Sequence, residues 1–182
     1  MSKILKFDLG GIGYGKDGYK TVNLAATCDI YSNIMELDNF CEDSTVDEFF
    51  LSHTVEHIPV TQYKDFLLRM KRKLKSGGAI KVIQTDVGRL IKMWIEGEIS
   101  FRTMRTPIFT PASRCYDNLL QQHQSMWNAE ELVKDFQSIG LSAEEFDAGF
   151  WKYDLDDDLI PEETKKDFGK KIPNLGVIAT KV

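Results

Sequence analysis

Short apolar strand patterns alternate with helical patterns along this chain, and that alternation most limits the folds it can adopt. The apolar runs at residues 4–9, 46–52 and 79–85 are bounded by glycine or polar residues, which is typical of buried strands. Residues 59–74 and 129–139 instead place their apolar side chains at helical spacing. Strands that alternate with helices predict a mainly parallel sheet with helices on both faces.

Weaker patterns complete this arrangement. Residues 19–24 and 28–31 indicate two further strands, and residues 87–94 a further helix. Residues 141–150 and 175–182 indicate two late strands with no helix between them. Because consecutive strands without a helical crossover cannot easily run parallel, we expect an antiparallel end to the sheet.

Proline and glycine mark the ends of the central helix. Pro59 suits a first helical turn, where its missing N–H leaves no bond unmade, and Gly77-Gly78 is expected to stop the helix before the next strand. The stretch 97–123 has no clean period and predicts an irregular segment.

The composition indicates one domain over residues 1–182. With 42% hydrophobic residues the chain can bury a core, and 23 Lys and Arg against 28 Asp and Glu give a net charge of −5. This acidic balance lacks the basic footprint of a protein that coats nucleic acid. No apolar run approaches the ~20 residues that span a bilayer, and the first residues turn polar too soon for a signal peptide. We therefore expect a cytoplasmic protein without membrane contact.

The cysteines point to neither a disulfide framework nor a cysteine zinc site. There are three, an odd number, and none has CxxC spacing. They are Cys28, Cys41 and Cys115.

Small and polar residues follow the predicted strands at their carboxyl ends. They are the glycine-rich stretch 10–15, Asn23, His53 and residues 85–86. In a parallel sheet these ends share one rim, and ligands bind there where the strand order reverses.

Five segments resemble one family. FDLGGIG, GYKTVNL, VDEFFLSHTVEHIP, MKRKLKSGGAIKVIQTDVGRL and HQSMWNAEELVKDFQSIGL cover residues 3–141 in that family's order. The chain resembles small, single-domain class I S-adenosylmethionine-dependent methyltransferases, of a type often found among cell-surface and sugar-tailoring genes. The resemblance implies a three-layer α/β/α Rossmann-like methyltransferase fold with an antiparallel C-terminal strand. In the LKSGG turn, Ser76 stands where the family has proline, and this turn is expected to be structural.

The resemblance also implies a cofactor site for S-adenosylmethionine. The first loop would surround the methionine part, the end of the second strand the ribose, and the following segment the adenine. The implied cofactor-binding residues are Asp8, Gly10, Gly11, Gly13, Asn23, Asn33, Ser52 and His53.

Three residues depart from the family's pattern in this cofactor half. Ile12 replaces a glycine, and Asn23 and Asn33 stand where similar enzymes carry acidic residues. An amide can accept one hydrogen bond and donate another, so pairing to a ribose could survive in weaker form. These departures motivate an alternative, a non-catalytic relative that serves as a partner subunit.

Two histidines are candidates for the catalytic base. An acceptor hydroxyl must lose its proton as it takes the methyl group, and imidazole can accept a proton near neutral pH. His53, at the end of a strand that faces the cofactor, is the first candidate, and His123 is the second. In the alternative interpretation, His53 and Glu56 only fix the loop by hydrogen bonds.

The same segment also matches a metal-binding motif. His53, Glu56 and His57 spell H-x-x-E-H, which occurs in inverted zinc peptidases. A strand runs directly into His53, and Pro59 follows His57 after one residue, so at most one helical turn is available. We therefore expect no metal, and a zinc hydrolase is the weakest alternative.

Residues 97–128 are predicted to form a lid over the acceptor. The lid contains Arg102, Arg105 and Arg114, whose forked side chains suit phosphate or carboxylate groups. Together with His57 they are the candidate substrate-binding residues, although ordinary surface arginines would give the same pattern.

The sequence thus predicts a methyltransferase that acts on oxygen or nitrogen of a small acceptor, of anionic or sugar type. A homodimer or a complex with a partner subunit is compatible with these patterns, and neither the acceptor nor the oligomeric state follows from them.

Overall fold

The computed structural model of the protein describes residues 4–11, 16–109, 123–151, 162, 166–167 and 172–182. Within these ranges the strands are β1 (Lys6–Leu9), β2 (Lys20–Asn23), β3 (Ile30–Tyr31), β4 (Val46–Ser52), β5 (Leu74–Thr85), β6 (Ser142–Glu145), β7 (Phe150–Trp151) and β8 (Ile172–Thr180). The α-helices are α1 (Val60–Lys73), α2 (Val87–Ile95), α3 (Phe101–Phe109) and α4 (Ala129–Ser138). Short 3₁₀ turns cover Leu37–Asn39 and Val55–His57.

The strands form a mixed sheet in the order β3-β2-β1-β4-β5-β8-β6, and β7 also pairs with β8. The neighbours from β3 to β5 are parallel. Strand β8 runs antiparallel to both β5 and β6. This confirms the predicted Rossmann-like sheet with an antiparallel C-terminal strand.

The main core lies along the central strands. Phe49 and Leu51 of β4 are fully buried, as are Phe66 of α1 and Phe136 of α4. Amphipathic helices and apolar central strands bury these side chains together, which is the main stabilising term of such a fold. The packing holds β1 and β4 side by side at the centre of the sheet.

The prediction that Gly77-Gly78 stops the central helix is wrong. Helix α1 ends at Lys73, and Leu74 already begins β5, so both glycines lie inside a strand. Gly77 has φ +78°, and a Cβ on Gly78 would lie 2.9 Å from the carbonyl oxygen of Val46. The glycines therefore allow the irregular backbone at the point where the register of the β4–β5 pairing shifts.

The prediction of an irregular segment over 97–123 is wrong in part, since Phe101–Phe109 is the helix α3. Met104 and Ile108 are buried with Leu90 in a small second core. Proline at position 107 obscures the helical pattern in the sequence. Residues 110–122, with Arg114 and Cys115, lie outside the described residues, and the lid stays a prediction.

The late strand predicted over 141–150 is two separate pieces, β6 and β7. Gly149, with φ +66°, precedes β7. Across the described residues, no helix combines the length and apolar character needed to cross a membrane.

Candidate functional site

A cavity of about 600 Å³ opens beyond the carboxyl ends of β1, β2, β3 and β4. It lies at the point where the strand order reverses, between β1 and β4. Its volume is in the range of small-molecule sites. Its walls consist of Gly10, Asn23, Leu24, Ser32, Asn33, Ile34, Met35, His53, Thr54, His57, Ile58, Pro59 and Gln62.

A close contact between Gly10 and Thr54 forms the floor of this cavity. Gly10 has φ +87°, and a Cβ built on it would lie 2.5 Å from the hydroxyl oxygen of Thr54. The Thr54 hydroxyl donates a hydrogen bond to the carbonyl of Leu9 (2.9 Å). Both the backbone conformation and the space therefore require glycine at position 10.

Asn23 holds the glycine turn from the neighbouring strand. Its Nδ2 group donates to the carbonyl oxygen of Gly10 (2.7 Å), and its Oδ1 accepts from the backbone N–H of Leu24 (2.7 Å). A carboxylate has no N–H to donate, and its negative oxygen would be repelled by the partially negative oxygen of the Gly10 carbonyl. This explains, in local terms, why an amide can replace the acidic residue expected at the end of β2.

Asn33 fixes the next wall of the cavity. Its Oδ1 accepts from the backbone N–H of Met35 (3.0 Å), which closes a short turn after β3. Ile34 and Met35 line the cavity beside it. An apolar wall next to an amide suits a flat heteroaromatic ring, which needs both contact area and polar groups at its edge.

Asp8 and Ser52 do not line the cavity. The Asp8 side chain is 6% exposed, lies against Gly11, and accepts from the backbone N–H of Lys16 (3.3 Å). Burial raises the pKa of this carboxyl, and the contact with Lys16 opposes that shift. The described contacts of Asp8 thus support the loop itself. Gly13 and Ile12 lie outside the described residues.

His53 occupies an unusual backbone conformation directly after β4. It has φ +50°, and its N–H donates to the carbonyl of Ile83 (2.8 Å). Non-glycine residues rarely adopt positive φ, and such residues often mark functional sites. Its Nδ1 lies 3.5 Å from Oε1 of Glu56.

Glu56 is a buried carboxylate, 6% exposed, three positions after His53. Burial raises its pKa, whereas the adjacent His53, a backbone N–H and the nearby His123 lower it, and together they hold the pKa of Glu56 below its usual value. Glu56 thus contributes a buried negative charge beside His53.

The segment that begins at His123 packs onto the same turn. The N–H groups of Gln124 and Ser125 both donate to the backbone carbonyl of Glu56 (2.6 and 3.1 Å). The rings of His57 and His123 meet edge to face, with centroids 4.9 Å apart. The three histidines of the chain thus converge on Glu56.

His123 is held in one tautomer. Its Nδ1 lies 2.9 Å from the carbonyl oxygen of Ile108, and because a carbonyl only accepts, Nδ1 carries the proton. Burial lowers the pKa of His123, although the charge of Glu56 opposes this. The ring is therefore neutral at pH 7, with a lone pair on Nε2.

The turn around Glu56 also rules out the geometry of an H-x-x-E-H zinc helix. Val55–His57 is a three-residue 3₁₀ turn that ends at Ile58, and His53 lies before it in the left-handed region. His53 and His57 therefore do not share one helical face.

A second, much smaller cavity lies beside Glu56. It has room for about one water-sized particle (about 10 Å³). Glu56, Gln84, Thr85, Val87, Pro107, Ile108, His123, Ser125, Met126 and Trp127 surround it. Among the described residues, the Gln84 side chain, 2% exposed, has no hydrogen-bond partner for either of its amide atoms.

Of the candidate arginines, the two that the structure describes, Arg102 and Arg105, line neither cavity. Arg102 and Arg105 are exposed on α3, whereas Pro107 and Ile108 of the same helix face the second cavity. Arg114 lies outside the described residues.

Sequence reasoning missed two residues of this site, Thr54 and Gln84. Thr54 lies inside the quoted HTVEH segment, but its role depends on contact with Gly10, 44 positions earlier in the chain. Gln84 is an interior polar residue in an apolar strand pattern, and that was the signal that could have identified it.

No family model matches the chain, and no curated protein matches it in sequence. Solved structures do match it in fold. A S-adenosylmethionine-dependent methyltransferase of Methanosarcina mazei superimposes with a TM-score of 0.60 at 12% identity, over 100% of this chain and 94% of that chain. One from Archaeoglobus fulgidus gives 0.59 at 14% identity, over 99% and 87%.

A third similar structure is a 1,6-didemethyltoxoflavin-N1-methyltransferase of Burkholderia thailandensis. It was solved with 1,6-didemethyltoxoflavin and S-adenosylhomocysteine bound. The TM-score is 0.56 at 12% identity, over 99% of this chain and 72% of that chain. The chain thus has the fold of class I S-adenosylmethionine-dependent methyltransferases.

The Gly10–Thr54 contact can be tested by comparing Gly10→Ala with Gly18→Ala. Both glycines have positive φ (+87° and +81°), but a Cβ on Gly18 meets nothing within 4 Å. We expect Gly18→Ala to lose about 1 kcal/mol of stability through backbone strain, and Gly10→Ala to lose a further ~1–3 kcal/mol through overpacking. Urea unfolding measures both values.

A double variant isolates the contact. Gly10→Ala combined with Thr54→Ala should be less destabilised than the sum of the two single variants, because the clashing hydroxyl is gone. Equal losses in Gly10→Ala and Gly18→Ala would show that Thr54 does not constrain position 10.

Proposed function

We propose that this protein is a S-adenosylmethionine-dependent methyltransferase that acts on oxygen or nitrogen of a small acceptor. The observation that supports it most is the position of the larger cavity. It lies at the strand-order reversal of a methyltransferase fold, and Gly10, Asn23, Asn33 and His53 line it.

The residues present fit the cofactor. Gly10 packs directly against Thr54, and both residues line the cavity. Asn23 lies beside them, and Asn33 with Ile34 and Met35 offers an apolar wall with an amide. We assign the methionine part, the ribose and the adenine to these three places. When bound, S-adenosylmethionine supplies an electrophilic methyl group.

His53 is the proposed base for the acceptor. Its Nδ1 lies 3.5 Å from the buried carboxylate of Glu56, an arrangement that orients the ring. Nε2 is buried in this structure, so it would have to become exposed to the cavity before it could take the proton that an acceptor hydroxyl or amine loses as its new bond to the methyl carbon forms. His123 is the second candidate, since its Nε2 carries a lone pair.

A second candidate function is a non-catalytic subunit of the same fold. It is favoured by the Asn23 contacts, because both ends of that amide already bind the backbone of the protein. Such a protein would bind the cofactor weakly or not at all.

Calorimetry separates the two candidates. We expect one-to-one binding of S-adenosylmethionine and S-adenosylhomocysteine, since the cavity is preformed. No heat with either ligand at millimolar concentration would contradict the enzyme and support the non-catalytic subunit.

The same titration tests the assignment of the adenine wall. Asn33→Ala should weaken binding about fivefold to tenfold, the equivalent of one hydrogen bond. Asn39→Ala is the matched control, since Asn39 is exposed outside the cavity and bonds to Glu36. Equal affinities in the two variants would place the adenine elsewhere.

His53→Gln tests the proposed base. Once an acceptor is found by screening hydroxyl and amine compounds for release of S-adenosylhomocysteine, the variant should lower kcat by about 100-fold or more. Its affinity for S-adenosylhomocysteine should change by less than about tenfold. A larger kcat loss in His123→Gln than in His53→Gln would move the base to His123, and an unchanged kcat in both would leave these histidines a structural role.

The anionic character of the acceptor depends on α3. If the acceptor reaches the exposed arginines, the double variant Arg102→Ala/Arg105→Ala should raise KM for a phosphorylated or carboxylated acceptor about tenfold with kcat unchanged. Lys92→Ala on α2 removes an equally exposed cation and serves as the control. An unchanged KM would remove anion recognition by α3 from the proposal.

A further inference from the structure

Glu56, His57 and His123 form a cluster whose composition suits a metal ion. One donor atom from each of the three residues lies within 4.8 Å of the other two. Glu56 comes from the 3₁₀ turn after β4, and His123 arrives from a segment 67 positions later, tied to that turn by two backbone hydrogen bonds. The cluster is thus built by tertiary structure and is not a run of neighbouring surface residues.

The carboxylate of Glu56 is the first argument for a cation. Both of its oxygens are buried, and among the described residues neither has a partner in hydrogen-bond geometry. The nearest basic atom is Nδ1 of His53 at 3.5 Å. Desolvation of a buried carboxylate without compensation is expensive. His53 faces only Oε1, so Oε2, which has no hydrogen-bond partner among the described residues, is the candidate ligand atom.

The tautomer of His123 is the second argument. Its Nδ1–H donates to the backbone carbonyl of Ile108 (2.9 Å), which leaves Nε2 as the donor atom for a metal. Metal-ligating histidines nearly always hold their other ring nitrogen in this way. His123 therefore has the second-shell support of a ligand already in place.

The surroundings give a third argument. The small cavity beside Glu56 and His123 has room for about one water-sized particle, and the unpartnered amide of buried Gln84 lines it. A metal-bound water would supply the partner that this amide lacks among the described residues.

We propose that Glu56, His57 and His123 bind one divalent transition-metal ion of the zinc class. Two imidazoles and one carboxylate are a donor set of catalytic zinc sites, which keep a fourth position open. Ligand atoms of a tetrahedral site lie about 3.4 Å apart, given metal–ligand distances of about 2.1 Å. Closing the cluster around the ion thus needs side-chain movements of roughly 1 Å.

This site differs from the H-x-x-E-H arrangement that the sequence suggested. Its histidines are His57 and His123, whereas the motif would use His53 and His57. Metal binding here can be measured on the protein alone, without cofactor or acceptor.

The test uses the full chain, treated with a chelator and dialysed. Equilibrium dialysis with Zn²⁺, followed by elemental analysis, should give one ion per chain, and Co²⁺ should give the visible absorption of a low-coordinate N,O site. His57→Ala and His123→Ala should each weaken Zn²⁺ binding by at least about 100-fold, since even outer-shell partners are worth about 10–100-fold.

Two controls keep the result specific. Cys28→Ser removes a thiol that could hold zinc elsewhere, and it should leave both affinity and stoichiometry unchanged. His53→Gln should also retain the ion. Circular dichroism checks that each variant folds, and His123→Asn replaces His123→Ala if the alanine variant does not.

The proposal is overturned if the wild-type chain retains no Zn²⁺ at micromolar concentration. It is equally overturned if His57→Ala and His123→Ala bind Zn²⁺ as tightly as the wild type. Loss of binding in His53→Gln with retention in His123→Ala would transfer the site to the H-x-x-E-H motif and also contradict the proposal.

Discussion

The hydrogen bond from the Thr54 hydroxyl to the Leu9 carbonyl joins the ends of the two central strands, and the site depends on it. It brings the residue after β4 against the Gly10 turn after β1. Glycine at position 10 allows this close approach, because a Cβ there would collide with the Thr54 side chain, and both residues line the cavity. Asn23 completes this arrangement from the third side, through the carbonyl of Gly10. Two side chains and one glycine therefore set the shape of the cavity floor.

Where secondary structure is decided locally, the sequence predicted it well. The strand pattern at Val46–Ser52 follows a polar loop and ends at His53, and the structure has the same bounds. The helix before β5 was predicted, but its end was misplaced. Glycine at position 78 is required by its close contact with the Val46 carbonyl on a neighbouring strand, and it does not end the helix. Helix α3 was missed because Pro107 breaks its pattern and its apolar side chains face a small second core. Patterns in the local sequence do not reveal such long-range contacts.

The candidate site shows the same division. Asn23 and His53 could be placed together because carboxyl ends of parallel strands share one edge of a sheet, whereas Asn33 was assigned by resemblance. Asp8 and Ser52 were grouped with them by resemblance, but the structure directs Asp8 toward the loop backbone. The position of His123 could not be derived, since two hydrogen bonds to the Glu56 carbonyl bring it there. On α3 the arginines are exposed, whereas Pro107 and Ile108 are buried. Which face of this helix is buried was likewise decided by packing.

Glu56 connects the two proposals through its charge. The lowered pKa keeps this buried carboxylate ionised, and an ionised buried group needs a compensating positive charge nearby. Burial holds His123 neutral, so that ring does not supply it. Among the described residues around Glu56, the compensation comes either from His53, whose Nδ1 lies 3.5 Å away, or from a bound cation. A cation between Glu56, His57 and His123 would balance this charge directly. The proposed base and the proposed metal site thus share one buried carboxylate, which lies next to both.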